Sequence, residues 1–158
     1  MTDVRCRKMT AADKGAAERL LKAFFAEDEF YRDSSGAYGD AGEPPIGKAL
    51  DLFLERPETG FVWLAFRDGE AVGMCIICYA ISTSLGALVG KLDDVFVAGG
   101  ARGQGVGSAM LKALGRELKA ANVLRIDSAV HLKNTEAARF YARAGFKPLN
   151  EERIALLL

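Results

Sequence analysis

One histidine, His131, and three cysteines, Cys6, Cys75 and Cys78, supply all the imidazole and thiol ligands in a chain of 158 residues. An odd number of cysteines cannot complete a disulfide framework, so reduced thiols are expected. Cys75-x-x-Cys78 has the spacing of half a zinc site. It lies, however, inside the apolar run Met74 to Ile81, where strand alternation sends the two sulfurs to opposite faces, and no second cysteine pair exists to complete a ligand set. No metal is expected. An excess of charge of one sign is also lacking: 21 basic residues balance 21 acidic ones, so no global field draws the chain to nucleic acid or to an anionic membrane. No apolar run reaches bilayer length, and Met1-Thr2-Asp3-Val4-Arg5 lacks the apolar core of a signal peptide, which makes a cytoplasmic location the expectation. What is present is the balance of a globular protein, 50% hydrophobic and 27% charged, in a length that suits one domain over residues 1–158.

Val4 to Lys8 suits a short strand, and Thr10 with Asp13 resembles a capping box that opens a helix. Ala17, Leu20, Leu21, Phe24 and Phe25 follow at helical spacing. Glu27 to Pro45 is acidic, aromatic and Gly-rich without a period, and reads as a long loop with room for a short helical piece. Ile46, Ala49, Leu50, Phe53 and Leu54 mark a second helix that ends before Pro57. Phe61–Phe66 and Ala71–Ile81 are β-rich runs around Asp68-Gly69, a hairpin signal. Ser82 to Gly90 reads as a turn region and Leu92–Val97 as the next strand. A helix follows from Val106 to about Ala121, then a strand over Val123–Leu132, a helix over Asn134–Ala144 closed by Gly145, and two last strands, Phe146–Leu149 and Arg153–Leu158. The order βααβββαβαββ defines an α+β class with a mixed, mostly antiparallel sheet.

The segment Arg102-Gly103-Gln104-Gly105-Val106-Gly107-Ser108 sits where a strand gives way to a helix. Its glycines let backbone N–H groups approach an anion closely at the positive end of that helix, which describes a phosphate cradle. Such a turn can also serve tight packing alone. A P-loop would need a lysine before Ser108, and a dinucleotide fold would place the turn after the first strand of a parallel sheet; Asp127, about 20 residues on, keeps the second reading open.

Leu92-Asp93-Asp94-Val95-Phe96-Val97 followed by Arg102-x-x-Gly105-x-Gly107 resembles the coenzyme A motif of the Gcn5-related N-acetyltransferase (GNAT) superfamily. Asn134-Thr135-Glu136-Ala137-Ala138-Arg139-Phe140-Tyr141-x-x-x-Gly145-Phe146 resembles its second motif. The order of elements agrees with that fold along nearly the whole chain. Within the superfamily, Arg7, Thr10-Ala11-Ala12-Asp13, the acids after the first helix and Gly90-Lys91-Leu92-Asp93-Asp94 look most like the diamine and polyamine N-acetyltransferases and their bacterial relatives.

The resemblance implies acetyl-coenzyme A as co-substrate. It places the backbone of Val95, Phe96 and Val97 along the pantetheine arm, the amides of Gly103, Gln104, Gly105, Val106, Gly107 and Ser108 on the pyrophosphate, Arg102 beside the phosphates, and Asn134 and Ala137 on the arm. An amide-containing arm can add to a splayed strand edge as a peptide does. Tyr141 matches the family's tyrosine that gives a proton to the departing thiolate, and a phenol is suited to that work because it stays protonated at neutral pH. Apart from the motif, an amphipathic core role would explain Tyr141, and helix capping alone would explain Asn134.

An ammonium cannot attack a thioester, so a base is also required. Asp93 falls where the polyamine enzymes usually have a glutamate, to act directly or through a water. Asp94 would point to the opposite face of a regular strand and reads as structural. His131 has a suitable intrinsic pKa but no motif behind it. Glu27 and Asp28 line up with the family's substrate-contacting pair and, with Asp93, would attract a cationic amine, although for Asp28 and Glu29 individually a solvated acidic loop is an equal explanation. Lys133 stands where the polyamine enzymes commonly have an aromatic residue, which argues against a long polyamine.

These residues lead to an expected N-acetyltransferase that moves the acetyl group to a primary amine of a small molecule, such as a diamine, polyamine or amino-acid-like amine, in a ternary complex. The alternatives are acetylation of a protein N-terminus or lysine, and a noncatalytic acyl-coenzyme A sensor. The resemblance also implies a homodimer.

Overall fold

The computed structural model describes residues 3–38 and 42–158. A strand, β1 (Arg5–Lys8), leads into a short 3₁₀ turn at Ala11–Asp13 and then three helices, α1 (Lys14–Glu27), α2 (Glu29–Tyr38) and α3 (Ile46–Glu55). Strands β2 (Gly60–Arg67), β3 (Glu70–Ser82) and β4 (Ala87–Val97) follow, then α4 (Val106–Ala120), β5 (Ile126–Ser128) and α5 (Thr135–Arg143). The five strands form one sheet in chain order, antiparallel except for the parallel pair β4–β5. The fold is thus α+β with a mixed sheet, as the sequence implies.

Local chemistry sets several boundaries. The Thr10 amide donates to Asp13 Oδ2 at 2.8 Å, the return half of the capping box, while the same carboxylate takes a two-pronged hydrogen bond from Arg7 on β1. Asp68 and Gly69 both have left-handed φ, 52° and 81°, as the two-residue β2–β3 hairpin requires. At the end of α5 the Phe146 amide donates to the Tyr141 carbonyl and the Gly145 amide to that of Ala142, a Schellman closure with Gly145 at φ 97°.

Two apolar layers cover the sheet. Val62, Leu64, Met74 and Ile76 face α1 and α3, where Leu20, Leu21, Phe24 and Leu50 are buried. Trp63, Ala65, Cys75 and Ile77 face α4 and its Val106, Met110, Leu114 and Leu118 stripe. The strand period therefore does separate the sulfurs of Cys75 and Cys78, which pack in different layers.

Four expectations need correction. The stretch after α1 is largely helical: α2 is a ten-residue helix whose N-terminus Asp28 caps by accepting the Tyr31 amide at 2.8 Å, and residues 39–41 lie outside the described residues. The Ser82–Gly90 turn is shorter than expected, because β4 starts at Ala87 and pairs with β3 back to Ser82. The strand read over Val123–Leu132 narrows to Ile126–Ser128, since Ala129 onward turns away to meet α2 through His131. The two last strands do not form. Pro148 has no amide to donate, β5 offers a pairing edge of only three residues, and Ile154, Leu156 and Leu158 are exposed.

Candidate active site

The site is built on β4. Gly90, Lys91 and Leu92 pair with Ile126, Asp127 and Ser128 of β5, and the ladder stops there, so β4 from Asp93 to Val97 is bonded to β3 on one side only. This opening in the ladder, between the outer half of β4 and the segment after β5, leaves backbone donors and acceptors of β4 without a strand partner, the feature that an extended amide arm needs.

A bulge lies in the same half. Asp93 is opposite Ile76 and Phe96 opposite Met74, so Asp94 and Val95 together oppose Cys75. The insertion reverses the facing of everything after it. Leu92 packs in the α4 layer and Phe96, four residues on, in the α1 layer, whereas an unbroken period of two would put both on one face. Asp94 is the extra residue, at φ 53°. The sequence expectation for Asp94 assumed a regular strand, and the strand is not regular.

Past β4, a 3₁₀ turn at Gly99–Ala101 leads to the glycine segment. Gly105 is the N-cap of α4 at φ 80°, with open space where a Cβ would stand. The first bond of the helix runs from the Ala109 amide to the Gly105 carbonyl, which leaves the amides of Val106, Gly107 and Ser108 at the positive helix end. This fits a pyrophosphate. Gly107 serves packing as well, because a Cβ there would lie 3.2 Å from the Phe140 ring. Gln104 is held by Arg67 and by the Gly100 carbonyl. Arg102 donates from Nε to the Val97 carbonyl at 2.8 Å, lies over the Phe96 ring and forms an ion pair with Glu27 at 2.5 Å. Glu27 is thereby tied to the glycine turn.

On the other bank of the opening, Asn134 caps α5 by accepting the Ala137 amide at 3.1 Å. Tyr141, about two turns further along, is wedged edge-on between Phe140 and Phe146. Burial, followed by the Cys75, Asp93 and Asp94 side chains, pushes its phenol up to about 12 against the pull of a hydrogen bond with Ser128. The phenol therefore keeps its proton at neutral pH. Ser128 is itself fixed by donating to the Leu92 carbonyl, the last paired residue of β4.

The carboxylates divide. Asp93 is paired with Lys91 at 2.9 Å. Asp94 is raised to about 6, mainly by burial and then by Asp93, with Lys91 opposing, Asp28 adding and Arg153 opposing. Asp94, Asp93, Asp28 and Tyr141 thus share one electrostatic neighbourhood. Sequence reasoning missed Ser128 and the role of His131. His131 Nδ1 accepts the Lys133 amide at 3.1 Å, which leaves Nε2 to donate to Asp33 of α2 at 2.7 Å, and Phe30 packs against the ring. The lone histidine clasps α2 to the β5–α5 segment. An aromatic residue and an acid three apart on one helix face, Phe30 and Asp33, were the available signal.

The acetyltransferase (GNAT) domain model matches residues 58–148, and the chain belongs to that family, whose enzymes use acetyl-coenzyme A as co-substrate. It is an acetyltransferase domain. The chain is 31% identical over 84 residues to the aminoalkylphosphonate N-acetyltransferase of Salmonella typhimurium, covering 53% of this chain and about half, 54%, of that relative's length. The fold is that of a ribosomal-protein-alanine N-acetyltransferase from Brucella melitensis, with TM-score 0.74, 14% identity and coverage of 99% and 100% of the two chains. It is equally that of an aminoglycoside acetyltransferase from a soil metagenome, solved with sisomicin, with TM-score 0.73, 15% identity and coverage of 98% and 94%. One fold serves protein and small-molecule acceptors alike, so the acceptor has to be argued from the site. No described helix is long and apolar enough to cross a membrane.

Proposed function

We propose that the protein transfers the acetyl group of acetyl-coenzyme A to the primary amine of a small, amino-acid-like molecule by direct attack in a ternary complex. The observation that carries this reading is the unpaired outer edge of β4 with the glycine turn at one end and a protonated Tyr141 at the other. The β4 edge from Val95 to Val97 would hold the pantetheine arm, the amides from Gly103 to Ser108 the pyrophosphate, and Asn134 and Ala137 the far bank. Bound there, the co-substrate supplies an activated acyl carbon. The chain's own part is to position the amine, to remove its protons at the β4 carboxylates and to give a proton to sulfur from Tyr141.

Three features support an acceptor that carries an anionic group over a long polyamine. Glu27 is engaged by Arg102 and so adds no negative charge to the acceptor side. Arg153 lies within electrostatic reach of Asp94, so a cation accompanies the acids. The curated relative's own name is that of an enzyme for aminoalkylphosphonates. The test is a thiol-release assay with acetyl-coenzyme A against aminoalkylphosphonates, amino acids, diamines, aminoglycosides and peptides. Highest kcat/KM on amines that also carry a phosphonate or carboxylate is expected; preference for diamines restores the polyamine reading, and for peptides the protein-acetylating one. Tight binding of the co-substrate with no release on any acceptor identifies a sensor.

A further inference from the structure

The geometry points to Asp94, and not Asp93, as the group that deprotonates the acceptor amine, an assignment that rests on the acetyl-transfer reading above.

The argument begins with the bulge. A non-glycine residue at φ 53° is held in a sparsely populated conformation that costs about 1–3 kcal/mol, and structures keep such strain where it re-aims a side chain. Without the extra residue Asp94 would face the α4 layer beside Leu92. With it, Asp94 leaves the alternation two residues past Leu92, the last residue of β4 paired with β5, and its carboxyl lies mostly buried within electrostatic reach of Asp93, Asp28 and Tyr141. Asp93 is still in regular register opposite Ile76 and has its counter-ion, Lys91, two residues away on its own strand. Asp93 is thus already held by a cation of its own strand and is engaged before any amine arrives.

The charged and titratable groups around Asp94 come from every neighbouring element. Asp93 and Lys91 share its strand, Cys78 faces it from β3, Asp28 from the α1–α2 junction, Arg153 from the C-terminal segment and Tyr141 from α5. Burial and the two aspartates outweigh the two cations, so the carboxyl titrates near 6. A base with that affinity is ionised at neutral pH yet holds a proton far better than an ordinary carboxylate.

The proton count closes. Asp94 takes one proton from the ammonium, and the freed nitrogen lone pair forms the C–N bond as the C–S bond breaks. Tyr141 gives its proton to the departing sulfur and recovers one from the nitrogen, which is still carrying one in excess of an amide. The proton on Asp94 then leaves to solvent, so each turnover releases one proton, one thiol and one acetamide.

The test compares Asp93→Asn and Asp94→Asn for pH-dependent kinetics, with co-substrate affinity measured by calorimetry as a check on folding. Asp94→Asn should lower kcat at pH 7 by about 10²-fold to 10⁴-fold, abolish the rise in rate centred near pH 6 and recover as rising pH supplies free amine. Asp93→Asn should keep that rise and lose less than about tenfold, an effect of a changed neighbour charge. Asp94→Glu should retain a shifted rise. Carboxyl-carbon NMR adds a readout independent of activity: one carboxyl titrating near 6 in the parent should vanish in Asp94→Asn. Loss of the pH 6 limb in Asp93→Asn with its retention in Asp94→Asn overturns the assignment, as does the absence of such a carboxyl. A parent protein that binds acetyl-coenzyme A but acetylates nothing would instead refute the transfer reading, while the NMR titration still reports on Asp94.

Discussion

The two halves of β4 are built from one strand and do different work. From Ala87 to Leu92 the strand is bonded to β3 on one side and, over its last residues, to β5 on the other; Val89 and Leu92 are buried, and Leu92 is fully enclosed in the α4 layer. From Asp93 to Val97 it has one partner, a bulge, a left-handed aspartate and an ion pair in place of continuous apolar packing. The first half has its later residues paired on both edges, and the second half is left with one edge unpaired. A sheet that was regular throughout would bury the edge, seat Phe96 in the wrong layer and have no opening.

That contrast can be broken by experiment. Tyr141→Phe, acting on the open half, should reduce kcat by about 10²-fold to 10⁴-fold while co-substrate affinity stays near that of the parent; normal turnover would return Tyr141 to packing alone. Leu92→Ala, acting on the closed half, should cost about 2–5 kcal/mol in urea denaturation and leave the KM values of the surviving folded protein nearly unchanged. If Leu92→Ala damages catalysis more than stability, the division of labour fails. Gly105→Glu puts a side chain and a negative charge into a left-handed helix cap, and calorimetry should show acetyl-coenzyme A affinity reduced by more than about tenfold.

The smallest effect is on stability against pH. A carboxyl raised to about 6 in the folded chain, from the ordinary carboxylate range, favours folding least when ionised. Its penalty is absent below the unfolded value near 4 and grows as pH rises through 6. Asp94→Asn should therefore melt higher than the parent at pH 8 and match it at pH 3. Asp13 runs the other way. Arg7 above all holds its carboxyl far below the usual range, so that contribution is intact near neutrality and fades as acid is added, and Asp13→Asn should narrow the difference in melting temperature between pH 7 and pH 3.

Much of this was legible from the chain because it was repeated at more than one level. The α4 stripe of Val106, Met110, Leu114 and Leu118, the Asp68-Gly69 turn and the Gly145 stop each combine a period with a residue that only one backbone conformation suits. The glycine turn follows the outer end of β4, and the Asn134–Tyr141 segment follows β5, the strand paired beside it. What escaped depends on tertiary facts. A bulge is invisible when alternation is assumed, and the pair Asp93-Asp94 looks the same in a regular strand as in a broken one. The helicity of Glu29–Tyr38 is hidden by Ser34, Ser35 and Gly36, poor helix formers that Asp28 capping and contacts of Phe30 and Tyr31 override. The last two strands read as apolar runs, but a strand needs a neighbour, and β5 ends after three residues.

The two clasps carry a consequence for how firmly α1 and α2 are held. Glu27–Arg102 and Asp33–His131 join positions 75 and 98 residues apart, yet most of these groups are well exposed to water. Exposed pairs of this kind hold by about 0.2–1 kcal/mol each, so the two together favour the joined arrangement by a factor of roughly thirty at most. Salt weakens them further, as the screening length falls from about 10 Å at 0.1 M to about 3 Å at 1 M. Rising ionic strength therefore loosens both contacts together, and with them the tie between α1 and the glycine turn and that between α2 and the segment after β5.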